Sequence, residues 1–501
     1  MSKPTKTGRA VFALFAILGA LLFPSARAGA AAASAATGVQ TAAPQTHTIT
    51  YDKYSLIIDG HRQLIYAGEF HPFRLPSPDL WLDVLEKMKA AGFNAVTMYF
   101  DWDYHSPAPG VYDFSGVRDM DKALDMAAQA GLYVIARPGP YINAETDGGG
   151  LPGWWNDQPG AGRSDDPAYL KWALQWMSHI DAILARHQLT NGTGSVILEQ
   201  VENEFTDTSS SGTAYMAALE NQIRSDGITV PLTGNHWNDY VTGQGAVQIP
   251  GWDSYPDGFD CSAQSNFYPA DDMWWLHSQF PNSPAYVPEY QGGSFDNWGG
   301  AGYAACRSMV GSNFIATSAR DLLASGVSML SYYMTYGGTS WGYEPYPGGY
   351  SSYDYGAAID EARQLTPKYY DQKRVAYLVG AVPALAQLDR VSSGAAPNAA
   401  LNEIVDDNPS TGTHLYLLQH ANDGAATDDS TTITVSTADG TYTVPQQSGT
   451  AIHVPPQNAK LLLADYDLRA AHVVYSTSEL MTDAQIGATD TAVFYGPHGE
   501  S

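Results

Sequence analysis

QLIYAGEFHPFRLPSPDLWLDVLEKMKAAGFNAVTMYF, residues 63–100, sets two short apolar runs on either side of an amphipathic segment. QLIYAGEF (63–70) and NAVTMYF (94–100) read as strands, being short, rich in β-branched and aromatic residues and followed by turn formers. DLWLDVLEKMKAAG (79–92) reads as a helix, with Leu82, Leu85, Met88 and Lys89 at helical spacing and Gly92 as its stop. Strand, helix, strand is the unit of a parallel sheet, because parallel neighbours need a crossover between them.

Outward from this unit the rhythm continues. RDMDKALDMAAQAG (118–131) reads as helix and LYVIARP (132–138) as strand, followed by a helix near 167–186 and the strand SVILEQVEN (195–203). A helix near 213–226 precedes shorter strands near 230–234, 251–255 and 284–289; a helix near 303–325 leads to a last strand, SMLSYYMTY (328–336). Eight strand candidates with helices between most of them define an α/β fold of the (β/α)8 TIM-barrel kind. The rival, a doubly wound open sheet, is disfavoured because no strand is followed by GxGxxG or GxxxxGKS. After residue 395, GTHLYLLQHAND, STTITVSTADGTYTVPQ and KLLLADYDLRAAHVVYSTSEL alternate Thr, Val, Tyr and Leu with Gly, Asp and Asn turns. They predict an all-β, antiparallel domain over 395–501 following a catalytic barrel over 47–394, and FYGPHGES leaves that β domain possibly incomplete at the C-terminus.

The first 28 residues carry Lys3, Lys6 and Arg9, an apolar run from Ala10 to Phe23, and Ala26-Arg27-Ala28. That is a signal peptide cleaved after Ala28, since about 14 apolar residues fall short of the roughly 20 a membrane span needs. Residues 29–46, rich in Ala, Thr, Ser and Gln, read as a flexible leader. The mature chain is therefore expected to be secreted, extracellular or periplasmic, with no membrane insertion. Its net charge is −27 before cleavage; removing a segment with four basic residues leaves about −31, a surface that repels nucleic acid and anionic membranes. An exported chain with only two cysteines, Cys261 and Cys306, is expected to pair them, two buried free thiols being the alternative. Two cysteines cannot form a Cys-based zinc site and no HExxH is present, so neither a metal nor a cofactor is implied.

In a barrel, functional side chains collect where strands meet loops at the C-terminal face. GEFH, MYFDWD, RPGPYINAE, EQVENE, GWDSY, VPEYQGG and YYMTYGG all end strands in aromatics, amides and carboxylates, with Lys and Arg scarce. Such a mouth suits a neutral polyhydroxylated ligand, with Trp102, Trp154, Trp155, Trp298 and Trp341 as candidate stacking faces. Glycoside hydrolysis needs two carboxyls across the bond, and Glu204 and Glu289 end strands four and seven, which face each other across the mouth. Strand alternation puts Glu202 on the same side as Glu204, so periodicity does not choose between them, although the amide of Asn203 favours Glu204.

Residues 64–156, with GEFHPFRLP, LEKMKAAGFNAVTMYFDWDYHSPAPGVYDFSG and GLYVIARPGPYINAETDGGGLPGWW, resemble the opening of the family 35 glycoside hydrolases, the secreted and lysosomal β-galactosidases. ILEQVENEF, VPEYQGG and YYMTYGGTSWG with PGGYSSYDYG continue the resemblance, closest to the first part of the large multidomain fungal enzymes. The resemblance implies a retaining exo-β-galactosidase acting on terminal β-galactose of oligo- or polysaccharides, with Glu204 as general acid/base and Glu289 as nucleophile. It implies a galactose pocket lined by Tyr99, Asn143, Ala144, Glu145, Asn203, Tyr255, Tyr333 and Tyr355, and a disulfide between Cys261 and Cys306. Ser106 stands where many members have Glu, in a rim loop where altered packing or leaving-group contacts are expected. The alternatives are another retaining β-exoglycosidase, separated by what meets the axial 4-hydroxyl, and a noncatalytic galactoside-binding protein.

Overall fold

The structure, a computed structural model, describes residues 46–263 and 272–497. The expected signal peptide, the expected leader up to residue 45 and the last four residues of the chain lie outside the described residues.

Eight parallel strands form the central sheet: β1 Ile65–Phe70, β2 Ala95–Tyr99, β3 Tyr133–Arg137, β4 Val196–Gln200, β5 Leu232–Gly234, β6 Ile249–Pro250, β7 Ala285–Gln291 and β8 Val327–Tyr336. Their order is β7-β8-β1-β2-β3-β4-β5-β6. The ring closes between the end strands: Ser254 bridges Tyr290 in parallel, and the Trp252 and Gln291 amides donate to the Tyr286 and Ser254 carbonyls at 3.1 and 3.0 Å. The expected strand near 251–255 is thus only Ile249–Pro250, prolonged by this bridge. Inside the barrel Ile65, Ala67, Ala95, Ile135, Ile197, Ile249 and Met329 pack together, and a larger core lies between sheet and helices. Strands buried on both faces read as continuous apolar runs, which is why they were legible.

The helices are α1 Trp81–Ala90, α2 Met120–Gln129, α3 Pro167–Leu184, α4 Ser210–Ser225, α5 Tyr303–Met309, α6 Ser312–Ala324 and α7 Pro367–Ala381. Their starts follow from local chemistry: Asp119, Asp166 and Ser209 accept from the Lys122, Ala168 and Gly212 amides, and Pro167 fits the first turn. Two expectations need correction. The buried face of α1 is Trp81, Val84, Leu85 and Met88, with Lys89 exposed, so the stripe is rotated from the one anticipated. The single helix near 303–325 is two, divided at Val310-Gly311, where Gly311 is extended.

The antiparallel part begins with Asp389–Ala395, which runs across the anticipated boundary at 395 and pairs in a five-stranded sheet with Leu401–Asp407, His414–His420, Ala459–Asp467 and His472–Tyr475. Alternation divides this sheet between two cores. Leu415, Leu417, Leu461 and Leu463 join the core that holds Phe314 and Ile315 of α6, whereas Tyr416, Leu418 and Leu462 pack on Ile433, Val435, Val444 and Ile452. Arg320 of α6 donates to both oxygens of Glu479, at 2.6 and 3.1 Å, and to the Tyr495 hydroxyl at 2.9 Å, tying the barrel to the C-terminal hairpin. Cys261 and Cys306 form a disulfide, joining the segment after β6 to α5. Among the described residues no helix is long and apolar enough to cross a membrane.

Candidate active site

A cavity of about 650 Å³ opens at the C-terminal mouth of the barrel. The loop after β3 supplies Asn143, Ala144 and Glu145, β4 leads to Asn203 and Glu204, and Tyr255, Glu289 and Tyr333 complete the opposite wall. No Lys or Arg lines it. Eight of the ten sequence-derived site residues are thereby brought together, but Tyr99 and Tyr355 are not on the wall. Tyr99 is fully buried beneath Glu289, and Tyr355 lies behind Tyr333 with ring centroids 5.3 Å apart.

The two glutamates of ENE part company because the strand has already ended at Gln200. Glu202 and Glu204 have φ of 61° and 46°, left-handed values that break the alternation of a strand. Glu202 turns inward, accepting from Arg163 Nη2 at 2.7 Å, Tyr215 Oη at 2.7 Å and the Asn203 amide at 2.8 Å. Glu204 faces the cavity. The expectation that both share one side therefore fails, and geometry distinguishes them without reference to any family.

Glu204 and Glu289 sit in opposite surroundings. Glu289 Oε1 accepts from Arg137 Nη2 at 2.6 Å and Tyr99 Oη at 2.7 Å, while Oε2 accepts from Tyr255 Oη, so donors meet it from every side. Glu204 has only Asn203 Nδ2, at 3.4 Å. Burial, and then the nearby charge of Glu289, push its carboxyl up to about 7, with Arg137 pulling the other way. Asn203 Oδ1 accepts from Arg137 at 2.6 Å and Asn235 at 2.9 Å, which assigns its Nδ2 to the Glu204 side.

The loop after β3 is equally constrained. Asn143, Ala144 and Glu145 run at φ of 53°, 52° and 48°, three successive left-handed residues without a glycine. Arg74 Nη2 donates to the Ala144 carbonyl at 2.5 Å, and the Tyr346 amide donates to that of Glu145 at 3.3 Å. The Glu145 side chain accepts from the hydroxyls of Tyr353 and Tyr333, and burial raises its pKa.

Sequence reasoning missed Arg137, Asn235 and Arg163, the three residues that hold the two carboxyls and the turn between them. Arg137 left a trace, a cation closing the apolar strand LYVIAR; Asn235 and Arg163 left none, because their partners arrive from other strands. The tryptophans do not serve as anticipated. Trp102 and Trp155 are core residues, Trp298 and Trp341 are 75% and 52% exposed, and the aromatic wall is instead Tyr141, Tyr255, Phe259, Phe295, Tyr333 and Tyr346. Ser106 is fully buried off the cavity, its carbonyl accepting from Trp154 Nε1 at 2.8 Å, so its effect is on packing and not on leaving-group contacts.

A parallel barrel with two carboxyls of contrasting environment in one tyrosine-walled cavity is the architecture of glycoside-cleaving barrels. This chain belongs to family 35 of the glycosyl hydrolases, whose family model matches residues 55–379, and a second model, β-galactosidase domain 2, matches residues 385–501. It is 40% identical over 471 residues to a probable β-galactosidase A of Aspergillus fumigatus and 38% identical over 478 residues to β-galactosidase A of Aspergillus niger. Each match covers 90% of this chain and 46% of the relative, so the chain spans about half the length of the curated relatives it matches. Among solved structures, a family 39 glycoside hydrolase from Bacteroides cellulosilyticus WH2 superposes with a TM-score of 0.51 at 12% identity, covering 81% of each chain. A cold-adapted β-galactosidase from Rahnella sp. R3 superposes with a TM-score of 0.50 at 15% identity, covering 70% of this chain and 59% of that one. At such identities these two likenesses speak to the fold alone.

Proposed function

We propose that this chain is a secreted, retaining exo-β-galactosidase that releases terminal non-reducing β-D-galactose by double displacement. The observation that carries this reading is the contrast between the two carboxyls: Glu204 is buried with one weak partner and pushed up to about 7, whereas Glu289 accepts from the Arg137 guanidinium and the Tyr99 and Tyr255 hydroxyls. In the first step protonated Glu204 gives its proton to the glycosidic oxygen while a Glu289 oxygen attacks the anomeric carbon, and the leaving group departs as an alcohol. In the second, Glu204, now ionised, takes a proton from water, which displaces Glu289 and restores both carboxyls. Asn203 Nδ2, Glu145 and Tyr333 are placed to bind sugar hydroxyls, and the β-galactosidase names of the relatives support galactose as the sugar. Export is supported by the pattern of residues 1–28 and by the disulfide, which suits an oxidising compartment.

The test is hydrolysis of p-nitrophenyl β-D-galactoside against the matching glucoside by wild type, Glu204→Gln and Glu289→Gln. A strong galactoside preference, abolished by Glu289→Gln, with β-galactose as the first product anomer by NMR, is the expected outcome. Release of α-galactose first, or full activity in Glu289→Gln, contradicts it.

A further inference from the structure

Glu204 follows β4 and Glu289 lies on β7, so β5 and β6 separate them around the barrel. These are its two shortest strands, Leu232–Gly234 and Ile249–Pro250, and β5 is joined to β4 and to β6 by only two residue pairs each. The backbone ladder therefore does little to fix the distance across this quarter of the mouth. Side chains do it instead. Asn235 follows β5 directly, is fully buried, and engages partners with both ends of its amide. Its Oδ1 accepts from the Glu204 backbone N–H and from Gln200 Nε2, each at 2.9 Å. Its Nδ2 donates to Asn203 Oδ1 at 2.9 Å and Asp253 Oδ2 at 2.8 Å, with Glu289 Oε1 at 3.4 Å.

We infer that Asn235 is a positioning residue, a single amide that bridges the segments after β4, β5 and β6 to β7 and so sets the separation and aim of the Glu204 carboxyl relative to Glu289. The inference rests on the reading of those two carboxyls as acid/base and nucleophile. The physical need is specific. Glu204 holds a left-handed φ of 46°, a conformation a non-glycine residue keeps only when its surroundings fix it, and its N–H is fixed by Asn235 Oδ1. Deleting the amide leaves that N–H, Asn203 Oδ1 and Asp253 Oδ2 each short of a partner in a buried site. A carboxyl displaced by about 1 Å from its productive position loses on the order of 100-fold in rate.

The experiment compares wild type with Asn235→Ala and Asn235→Asp, all as the full chain, on p-nitrophenyl β-D-galactoside from pH 4 to 8, with Tm measured alongside. Asn235→Ala is expected to lower kcat by about 100-fold while KM stays within about threefold, because Glu145 and Tyr333 make no bond to Asn235 and Asn203 Oδ1 keeps its Arg137 donor at 2.6 Å. Asn235→Asp keeps the shape and the Oδ1 acceptor. When ionised it faces the carboxyls of Glu204, Asp253 and Glu289, with the Arg137 and Arg163 guanidiniums opposing, and when protonated it regains a donor. Its kcat, taken as a ratio to wild type at each pH, is therefore expected to recover as pH falls, and that of Asn235→Ala is not. A folded Asn235→Ala protein with kcat within threefold of wild type overturns the inference. So does a parallel loss in both variants that follows Tm with no recovery at low pH, which is what a merely structural role gives. A folded wild type that turns over no aryl galactoside removes the catalytic reading of the pair, and the inference with it.

Discussion

At the residue scale the proposed mechanism depends on one carboxyl being kept protonated next to another. Desolvation is the larger cause and the Glu289 charge the second; together they bring Glu204 to about 7. The general acid must carry its proton in the free enzyme, so kcat/KM is expected to fall tenfold per pH unit above about 7, and the pH–rate profile of wild type checks this. A basic limb that persists unmoved in Glu204→Gln assigns that ionisation elsewhere. Strand alternation did not separate Glu202 from Glu204, and it was the Asn203 amide and the family resemblance that favoured Glu204; alternation holds only while the strand lasts, and the left-handed turn is visible only once Arg163, Tyr215 and Asn235 are in place around it. Glu289 was legible, since VPEYQGG remains strand through the residue that matters.

At the element scale, the end of β8 shapes the wall of the cavity that carries Glu145 and Tyr333. Gly337 follows Tyr336, and a Cβ there would lie 1.8 Å from the Tyr353 carbonyl oxygen. The neighbouring Tyr353 amide donates to the Gly338 carbonyl at 2.9 Å, so the segment carrying Tyr353 and Tyr355 is laid directly on this turn. Gly337→Ala has to push that segment away, at about 1–3 kcal/mol, and the Tyr353 hydroxyl that holds Glu145 moves with it. The expected result is a several-fold higher KM for aryl galactosides together with a lower Tm, and a variant unchanged in both contradicts this account. The helices and long strands of the barrel were legible from their periods, whereas the break at Gly311 and the brevity of β5 and β6 were not, since short apolar runs look alike whether or not neighbours pair with them.

For the whole molecule, burial leaves many carboxyls protonated. Asp101, Glu204 and Asp406 are raised to about 7 and Glu199 to about 8, in each case chiefly by desolvation. Each contributes stability that is fully present below its unfolded value and is lost as pH rises through its folded one. Lys368, lowered by burial to about 7, acts in the opposite sense above that pH, where of the four only Glu199 still titrates against it. Buried histidines, His105 lowered to about 4 and His236 to about 3, remove stability as pH falls below the ordinary histidine range. The four carboxyls outnumber the two histidines between about pH 4 and 6 and act alone from there to about pH 7, so Tm is expected to fall from about pH 5 to about pH 7 and to change little from there to about pH 8, with the net charge of −27 lowering stability at the basic end. Calorimetry across that range checks it; a Tm that rises to pH 8 contradicts it. The shared core between α6 and the five-stranded sheet, with the Arg320–Glu479 pair, predicts that barrel and β domain melt together in those scans.

The sequence by itself determined what depends on neighbours along the chain: the β/α rhythm, the Gly92 helix stop, the change to antiparallel style and the strand endings that hold Glu289 and Asn143–Glu145. Only the tertiary structure decided which glutamate of ENE faces the cavity, that Tyr99 and Tyr355 stand behind the wall, and that Arg137 and Asn235 hold the two carboxyls. Those facts depend on side chains that meet across different strands of a closed barrel, at separations of 30 to more than 150 residues, where no local period records the meeting.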